Sequence, residues 1–269
     1  MKSPMISSIK LLFLLIFSFF AEGWTDKAHA QRDIPAIAAA SDLQFALEDI
    51  AARFRADSHK DVRLSFGSSG NYLRQIEQGA PFQLFLSADE DFVFRLQQAG
   101  GTEDRGVLYA TGRIVLFAPR ASPLTVDPRM AGLKAELAAR RISRFAIANP
   151  EHAPYGRAAE QALRKLGLWE GLQGKLVLGE NVSQAAQFAT SGSVQGGIFA
   201  YSLALSPNVS RLGSYVLLPE DLHQPLRQRM VLVKGAGETA RAFYAYLQQP
   251  AARKMFEQYG FVLPAGTAK

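Results

Sequence analysis

A turn of small residues between a predicted strand and a predicted helix could bind an anion. It lies within residues 63–79, RLSFGSSGNYLRQIEQG, where Gly67, Ser68, Ser69 and Gly70 leave the backbone N–H groups open to a guest. The N-terminus of a helix has unpaired N–H donors and a partial positive charge, and serine hydroxyls beside it complete an anion-binding site. The alternative is that Ser69 only caps its own helix.

Three further junctions repeat this design. Ser41 follows a predicted buried strand at residues 34–40 and, with Gln44 three positions later, predicts a capping box at the start of an amphipathic helix. Residues 154–156 (Pro-Tyr-Gly) and residues 181–182 (Asn-Val) each separate a predicted strand from a predicted helix. Ligands of open α/β sheets bind outside the carboxyl ends of the strands, against helix N-termini. The four junctions therefore predict a cage of N–H and O–H donors for an oxyanion.

Strands alternate with helices along the chain, which predicts an α/β fold with mostly parallel sheet and helices on both faces. Strands around residues 112–117 and 230–233 lie where the chain could cross between two lobes and return. We expect lobe 1 to comprise residues 31–112 and 231–269, and lobe 2 to comprise residues 113–230. The first two junctions then belong to lobe 1 and the last two to lobe 2, so the ligand would lie in the cleft between the lobes.

The first thirty residues have the pattern of a signal peptide. Lys2 and Lys10 precede an apolar run at residues 11–20, and residues 28–30 (Ala-His-Ala) give an A-x-A cleavage pattern. The apolar run is too short to span a bilayer. We therefore expect residues 1–30 to be removed, and the mature chain to be a soluble protein of a bacterial periplasm.

The composition narrows the possible function classes. The 269 residues include no cysteine, which excludes disulfides, thiolate metal sites and cysteine nucleophiles. The net charge is +6, and the basic residues are dispersed among acidic ones rather than grouped with aromatic ones, so no nucleic-acid surface is expected. His59, His152 and His223 are too scattered for a metal cluster. A mild positive field would favour the approach of an anionic small ligand.

Five segments in the same order, from about residue 36 to residue 263, carry a family likeness. They read AAASDLQFALEDIAARF, LSFGSSGNYLRQIEQGAPFQLFLSAD, IANPEHAPYGRAAEQALRKLG, GENVSQAAQFATSGSVQGGIF and FYAYLQQPAARKMFEQYGFVLP. These segments resemble the periplasmic molybdate-binding proteins of ABC transporters, and the strings RQIEQGAP and NPEHAPYG are the most specific. The resemblance implies a type II periplasmic binding-protein fold, in which two α/β lobes hold a tetrahedral oxyanion between them without a counter-cation.

The resemblance also implies particular oxyanion ligands. Ser41 and Ser69 match the two ligand serines, which contribute a hydroxyl and a backbone N–H. Tyr155 and Val182 match positions that contribute a backbone N–H. A second tier of candidates around these ligands comprises Asp42, Ser68 and Tyr201.

Two positions depart from the family pattern. Many members have a tyrosine ligand in a G-I-V-Y-G-S-D string, whereas the string GIFAYSL places Ala200 there and Tyr201 one residue later, on the other face of a strand. The Tyr155 hydroxyl could replace the missing one. Asp42, directly after Ser41, would repel a dianion unless its carboxylate points away and caps the helix, which is the arrangement we expect.

The expected function is the capture of molybdate, and also of tungstate, for delivery to the membrane permease subunits of an ABC transporter. Fixed neutral donors would leave the smaller sulfate incompletely bonded. We expect no catalytic residue, no cofactor, no direct metal ligand (molybdenum enters only as its oxyanion), no nucleic-acid partner, and a monomer. One alternative is another oxyanion (sulfate, phosphate or chromate), favoured if Asp42 faces the cleft and accepts a proton from the ligand. The other is a secreted serine-dependent enzyme, which needs a base near Ser69.

Overall fold

The computed structural model describes residues 34–264, which fold into two five-stranded sheets flanked by helices. The predicted signal peptide, residues 1–30, lies outside the described residues. Within residues 34–264, no helix is both long enough and apolar enough to cross a membrane.

The first sheet has the strand order β2-β1-β3-β10-β4. Its strands are β1 (Ala36–Ala40), β2 (Arg63–Gly67), β3 (Phe82–Ser87), β4 (Val107–Gly112) and β10 (Leu226–Leu232). β1 pairs in parallel with β2 and β3, and β10 runs antiparallel to β3 and β4. Every residue of β1 is buried because Ile37 and Ala39 face one apolar core and Ala38 faces another, which explains its small, continuously apolar sequence.

The second sheet has the strand order β7-β6-β8-β5-β9. Its strands are β5 (Ile114–Pro119), β6 (Phe145–Ala148), β7 (Leu176–Gly179), β8 (Gly196–Ala200) and β9 (Gly213–Leu217). β6 pairs in parallel with β7 and β8, and β5 runs antiparallel to β8 and β9.

Ten α-helices lie within the described range. They are α1 (Gln44–Ser58), α2 (Ser69–Glu77), α3 (Glu90–Gln98), α4 (Ala131–Ala138), α5 (Pro154–Lys165), α6 (Val182–Thr190), α7 (Tyr201–Ala204), α8 (Pro207–Ser210), α9 (Glu238–Tyr246) and α10 (Pro250–Gln258). The three that matter most for the site are α2, α5 and α6, because each begins within a predicted junction.

The sheets are mixed, so the prediction of mostly parallel sheet is wrong. Each sheet has two parallel and two antiparallel strand pairs. The cause is the crossing of the chain. β5 follows β4 of the first sheet and enters the second, β10 follows β9 of the second sheet and enters the first, and both run antiparallel to their neighbours.

The return crossing lies earlier in the chain than the predicted boundary at residues 230 and 231. The second sheet ends with β9 at Leu217, and β10 already pairs with β4 at Leu226, opposite Gly112. Residues 226–230, which the sequence placed in lobe 2, therefore belong to the first sheet. The division into two lobes stays a prediction, because the described residues form one compact unit.

Candidate oxyanion-binding site

The four predicted junctions come together around one small cavity. Its wall comprises residues 40–42 at the end of β1, residues 67–69 at the end of β2, Ala88 after β3, residues 153–155 at the start of α5, and Val182 at the start of α6. These residues follow the carboxyl ends of parallel strands from both sheets, where ligands of α/β proteins bind. The cavity has a volume of only about 10 Å³, so the half of the site that follows the first sheet lies close to the half that follows the second.

Ser69 is placed to donate a hydrogen bond into this cavity. Ser68, not Ser69, is the N-cap of α2, and its Oγ accepts from the N–H of Asn71 at 3.4 Å. The alternative that Ser69 only caps its own helix is therefore wrong. The Ser69 Oγ accepts from the buried backbone N–H of Ala88 at 2.9 Å. Because a hydroxyl that accepts one bond keeps its own proton to donate, the Ser69 O–H remains free for a ligand.

Each of the three helices also has one N–H group in its first turn that is not a donor in the hydrogen bonds of the described range. These groups belong to Ser69 in α2, Tyr155 in α5 and Val182 in α6. The N–H groups that follow them are paired with carbonyl or capping side-chain oxygens. Unpaired donors at a helix N-terminus favour an anion. Three of the four predicted ligand positions therefore lie together, and each has an unpaired backbone N–H group.

The Ser41 hydroxyl connects the first sheet to α6. Its Oγ donates to Asn181 Oδ1 at 3.1 Å and accepts from the N–H of Ser183 at 3.2 Å. The predicted capping box with Gln44 is wrong, because Ser41–Leu43 form a 3-10 turn and α1 begins at Gln44 without a side-chain cap. The Ser41 hydroxyl bonds instead to Asn181 and Ser183 at the N-terminus of α6. To bond an anion, the Ser41 proton must rotate away from Asn181.

Tyr155 presents its backbone to the cavity and its hydroxyl to Asp42. The Tyr155 hydroxyl donates to Asp42 Oδ2 at 2.9 Å, so its proton is already in use, and the expectation that it replaces the missing tyrosine ligand does not fit. Burial, helped by the negative charge of Asp42, raises the pKa of Tyr155 well above its ordinary value, so the phenol stays protonated. Gly112 makes room for this hydroxyl, because a Cβ there would lie 2.2 Å from it.

Asp42 lines the cavity and makes no cap hydrogen bond, so the expectation that its carboxylate caps the helix is wrong. The side chain is buried, and Oδ2 accepts from Gln228 Nε2 at 2.7 Å as well as from Tyr155. The amide of Gln228 is oriented by Tyr109, whose hydroxyl donates to Gln228 Oε1 at 2.7 Å. Oδ1 is buried and has no hydrogen-bond partner. Burial raises the pKa of Asp42 to about 6, against the lowering effect of the hydrogen bonds from Gln228 and Tyr155.

The chain matches known proteins over nearly all of the described range. Residues 36–262 match the family model described as bacterial extracellular solute-binding protein. The chain belongs to this family. It is 38% identical over 230 residues to the molybdate-binding protein ModA of Azotobacter vinelandii, with 84% of this chain and 89% of that protein covered. It is also 38% identical over 218 residues to ModA of Rhodobacter capsulatus, covering 80% of this chain and 82% of that protein.

A solved structure shows the same architecture. The periplasmic molybdate-binding protein of Azotobacter vinelandii superposes with a TM-score of 0.78 at 32% identity, covering 86% of this chain and 100% of that chain. The predicted α/β periplasmic binding-protein fold is confirmed by this match. The family is one of solute-binding proteins rather than enzymes, which agrees with the prediction of a non-enzyme.

Within this solute-binding fold, His152 was not among the predicted site residues, yet it holds the two halves of the site together. Its carbonyl accepts from the N–H of Gly70 at 3.0 Å, and its Nδ1 lies 3.0 Å from the Oγ of Ser68. The enzyme alternative needed a base near Ser69, but the imidazole contacts the cap of α2 instead. Arg157 and Asp89 form a second contact between the halves, with Nη2 and Oδ2 2.5 Å apart.

Gln228 and Tyr109 were also missed. β10 has the sequence LRQRMVL, in which Gln228 alternates with arginines and shares a face with Leu226 and Met230, all three being buried. A glutamine on the apolar face of an alternating strand needs an internal partner. That alternation was the available signal, but it does not reveal that the partners are Asp42 and Tyr155.

Tyr201 lies outside the cavity wall. β8 ends at Ala200 and α7 begins at Tyr201, whose ring packs against that of Tyr215 with the centroids 6.2 Å apart. The second tier of the predicted site therefore retains Asp42 and Ser68 at the cavity but loses Tyr201. The change from strand to helix at residue 201 is the physical reason.

Proposed function

We propose that this chain captures molybdate, and also tungstate, outside the cytoplasm and delivers it to the membrane permease subunits of an ABC transporter. The observation that carries the proposal is the cavity in which three helix N-termini and the Ser69 hydroxyl converge without a lysine or arginine in the described wall. Such a site recognises an oxyanion by the number and direction of its donors rather than by a cation.

The relatives narrow the anion to molybdate. Two proteins with 38% identity over at least four-fifths of this chain are named molybdate-binding proteins. A third relative, from Bacillus subtilis, is 33% identical over 232 residues and is named a putative ABC transporter substrate-binding lipoprotein. We extend these names to this chain because its described cavity has the donor arrangement that an oxyanion needs. Export through the predicted signal peptide and a monomeric state belong to the same proposal.

The donors are sufficient for tight binding. The N–H groups of Ser69, Tyr155 and Val182 and the Ser69 hydroxyl supply four hydrogen bonds to the anion, and Ser41 supplies a fifth once its proton turns. A hydrogen bond to a charged group contributes roughly 1.5–3 kcal/mol net, so five of them support micromolar or tighter binding after the costs of association. Closure of the halves excludes water and strengthens each bond.

Calorimetric titration of the ligand-stripped mature protein tests the proposal. We expect one-to-one binding of molybdate and tungstate, and no heat from sulfate, because its shorter bonds leave donors in a fixed cage unfilled. If neither molybdate nor tungstate binds, the proposed function is wrong.

A second candidate is a monoprotonated oxyanion such as hydrogenphosphate. The observation that favours it is the unpartnered Oδ1 of Asp42 in the cavity wall, which could accept the proton that such an anion carries. Binding of phosphate without binding of molybdate in the same titration would select this candidate.

A further inference from the structure

The two carboxylate oxygens of Asp42 have different surroundings. Oδ2 accepts two hydrogen bonds, from the Tyr155 hydroxyl at 2.9 Å and from Gln228 Nε2 at 2.7 Å. Oδ1 is buried and has no hydrogen-bond partner. Asp42 as a whole is only 1% exposed, and it is one of the residues that line the cavity. A buried acceptor without a donor is costly, so its retention needs an explanation. A ligand in the cavity is the available partner.

An ionised Asp42 conflicts with the anion proposed for this cavity. The described partners of its carboxylate are a tyrosine and a glutamine, which are neutral. Like charges in a shared buried site cannot both persist without a compensating proton or cation. A proton between Oδ1 and the anion removes the repulsion and converts it into a hydrogen bond.

We propose that Asp42 contacts the bound oxyanion through a single proton held between its Oδ1 and one anion oxygen, so that capture of the anion takes up one proton. The inference rests on the proposed function, since it requires an oxyanion in this cavity. It makes Asp42 a determinant of specificity, because the site then offers the anion an acid hydrogen in addition to its N–H and hydroxyl donors.

The geometry also fixes which oxygen carries the proton. Oδ2 already accepts two donors, and the amide of Gln228 cannot turn its oxygen towards Oδ2 while Tyr109 donates to that oxygen. The added proton therefore sits on Oδ1. At a pH where the free protein has an ionised Asp42, the complex forms from the dianion, the carboxylate and one proton taken from solvent. The proton cancels the charge of the carboxylate, so the filled site has a net charge of minus two. Burial already raises the pKa of Asp42 to about 6, which favours its protonated form.

The groups that face Asp42 do not supply this proton. Tyr155 from α5 and Tyr109 from β4 both have pKa values raised well above the ordinary tyrosine value by burial and by the charge of Asp42. Gln228 from β10 does not titrate, and Ser202 from α7 donates to the Asp42 carbonyl at 2.7 Å. On the α6 side, Ser183 and Asn181 are engaged with Ser41. The histidine nearest to the cavity, His152, contacts Ser68 and lies 3.5 Å from Glu180.

Molybdate titrations of the wild type and of Asp42→Asn, in buffers that differ in ionisation enthalpy, test the proposal. The amide is isosteric, keeps an oxygen for Tyr155 and Gln228, and presents a permanent N–H in place of the acid hydrogen. We expect uptake of about one proton by the wild type above about pH 7, and a Kd that weakens about tenfold per pH unit above about pH 6. Asp42→Asn should take up no proton and show a nearly flat Kd.

Asp49→Asn is the matched control. Asp49 is also an aspartate that accepts from a tyrosine hydroxyl, that of Tyr259, but it lies outside the cavity wall. This variant should keep the proton uptake and the pH slope of the wild type. Molybdate binding by the wild type with no proton uptake and a flat Kd overturns this inference and leaves the proposed function standing. An equal slope in Asp42→Asn also overturns it, because a group other than Asp42 would then be the one that titrates. Absence of molybdate binding in every variant overturns the proposed function together with this inference.

Discussion

Replacement of Ser69 by alanine separates the two hydrogen bonds that its hydroxyl can make. One is internal: the Oγ accepts from the backbone N–H of Ala88 at 2.9 Å in a fully buried position. The other is the bond that the free O–H proton would donate to the anion. Ser69→Ala removes both, so it should change the stability of the protein and its affinity for molybdate by separately measurable amounts.

The size of each effect follows from the structure. The Ala88 N–H is left buried without an acceptor, which costs about 1–3 kcal/mol of unfolding free energy. Loss of a hydrogen bond to a charged ligand costs about 1.5–3 kcal/mol of binding free energy, which corresponds to roughly a 10- to 150-fold weaker Kd. Urea unfolding of the unliganded protein measures the first term, and calorimetric titration with molybdate measures the second.

Ser122→Ala provides the matched control for this experiment. The Ser122 Oγ accepts from the backbone N–H of Leu124 at 3.0 Å, as Ser69 does from Ala88, but its proton is donated to the Gln195 carbonyl and it lies away from the cavity wall. The Ser122→Ala variant should lose a comparable amount of unfolding free energy and bind molybdate with the affinity of the wild type. An unchanged Kd for Ser69→Ala would refute the assignment of Ser69 as a ligand. An equal loss of affinity in both variants would show that the loss follows stability rather than a contact.

Three further predictions concern the closure of the site and the network around Asp42. Gly70→Ala should weaken molybdate binding at least tenfold in calorimetry, because its Cβ would lie 2.7 Å from the His152 carbonyl oxygen and hold the cavity open; wild-type affinity would show that this contact is not needed for closure. The pKa of Asp42 is higher in the folded state, about 6, than its ordinary 3.8, so its favourable contribution to stability is complete below pH 3.8 and is lost as pH rises through about 6. The unfolding free energy of unliganded Asp42→Asn, measured with urea, should therefore exceed that of the wild type by up to about 3 kcal/mol near pH 8, and the difference should shrink towards pH 4. A difference that does not change with pH would contradict the burial argument. Gly112→Ala should lower the unfolding free energy by about 1–3 kcal/mol, because its Cβ would lie 2.2 Å from the Tyr155 hydroxyl; unchanged stability would show that the hydroxyl can move without cost.

Contacts between the two halves of the site connect these predictions to function. Gly70 with His152, Ser41 with Asn181, and Asp89 with Arg157 all pair a residue near the first sheet with one near the second. Each contact favours the closed arrangement, in which the donors surround the cavity. A binding protein must also open, so the affinity reflects the balance between these contacts and the bonds to the anion.

The local parts of the site could be predicted from the sequence. The strand-to-helix junctions at Ser41, Ser69, Tyr155 and Val182 were recognised because periodicity, small residues and helix-start preferences are properties of neighbouring residues. All four residues lie in one cavity wall. Their contacts with an anion remain a prediction that the titrations will test.

The α/β alternation, the junctions and the small turn residues could be predicted from the sequence, because they depend on interactions within about ten residues of the chain. The hydrogen-bond partner of each polar side chain depends on the tertiary fold. Asp42 meets Tyr155 across 113 positions and Gln228 across 186, and Ser41 meets Asn181 across 140. A polar side chain bonds to such a distant partner, rather than capping the helix beside it, when the fold buries the two groups together. The reason is that a buried polar group needs a hydrogen-bond partner at the place where it is buried. That is why Asp42 and Ser41, predicted as helix-capping residues, instead form the wall of the cavity.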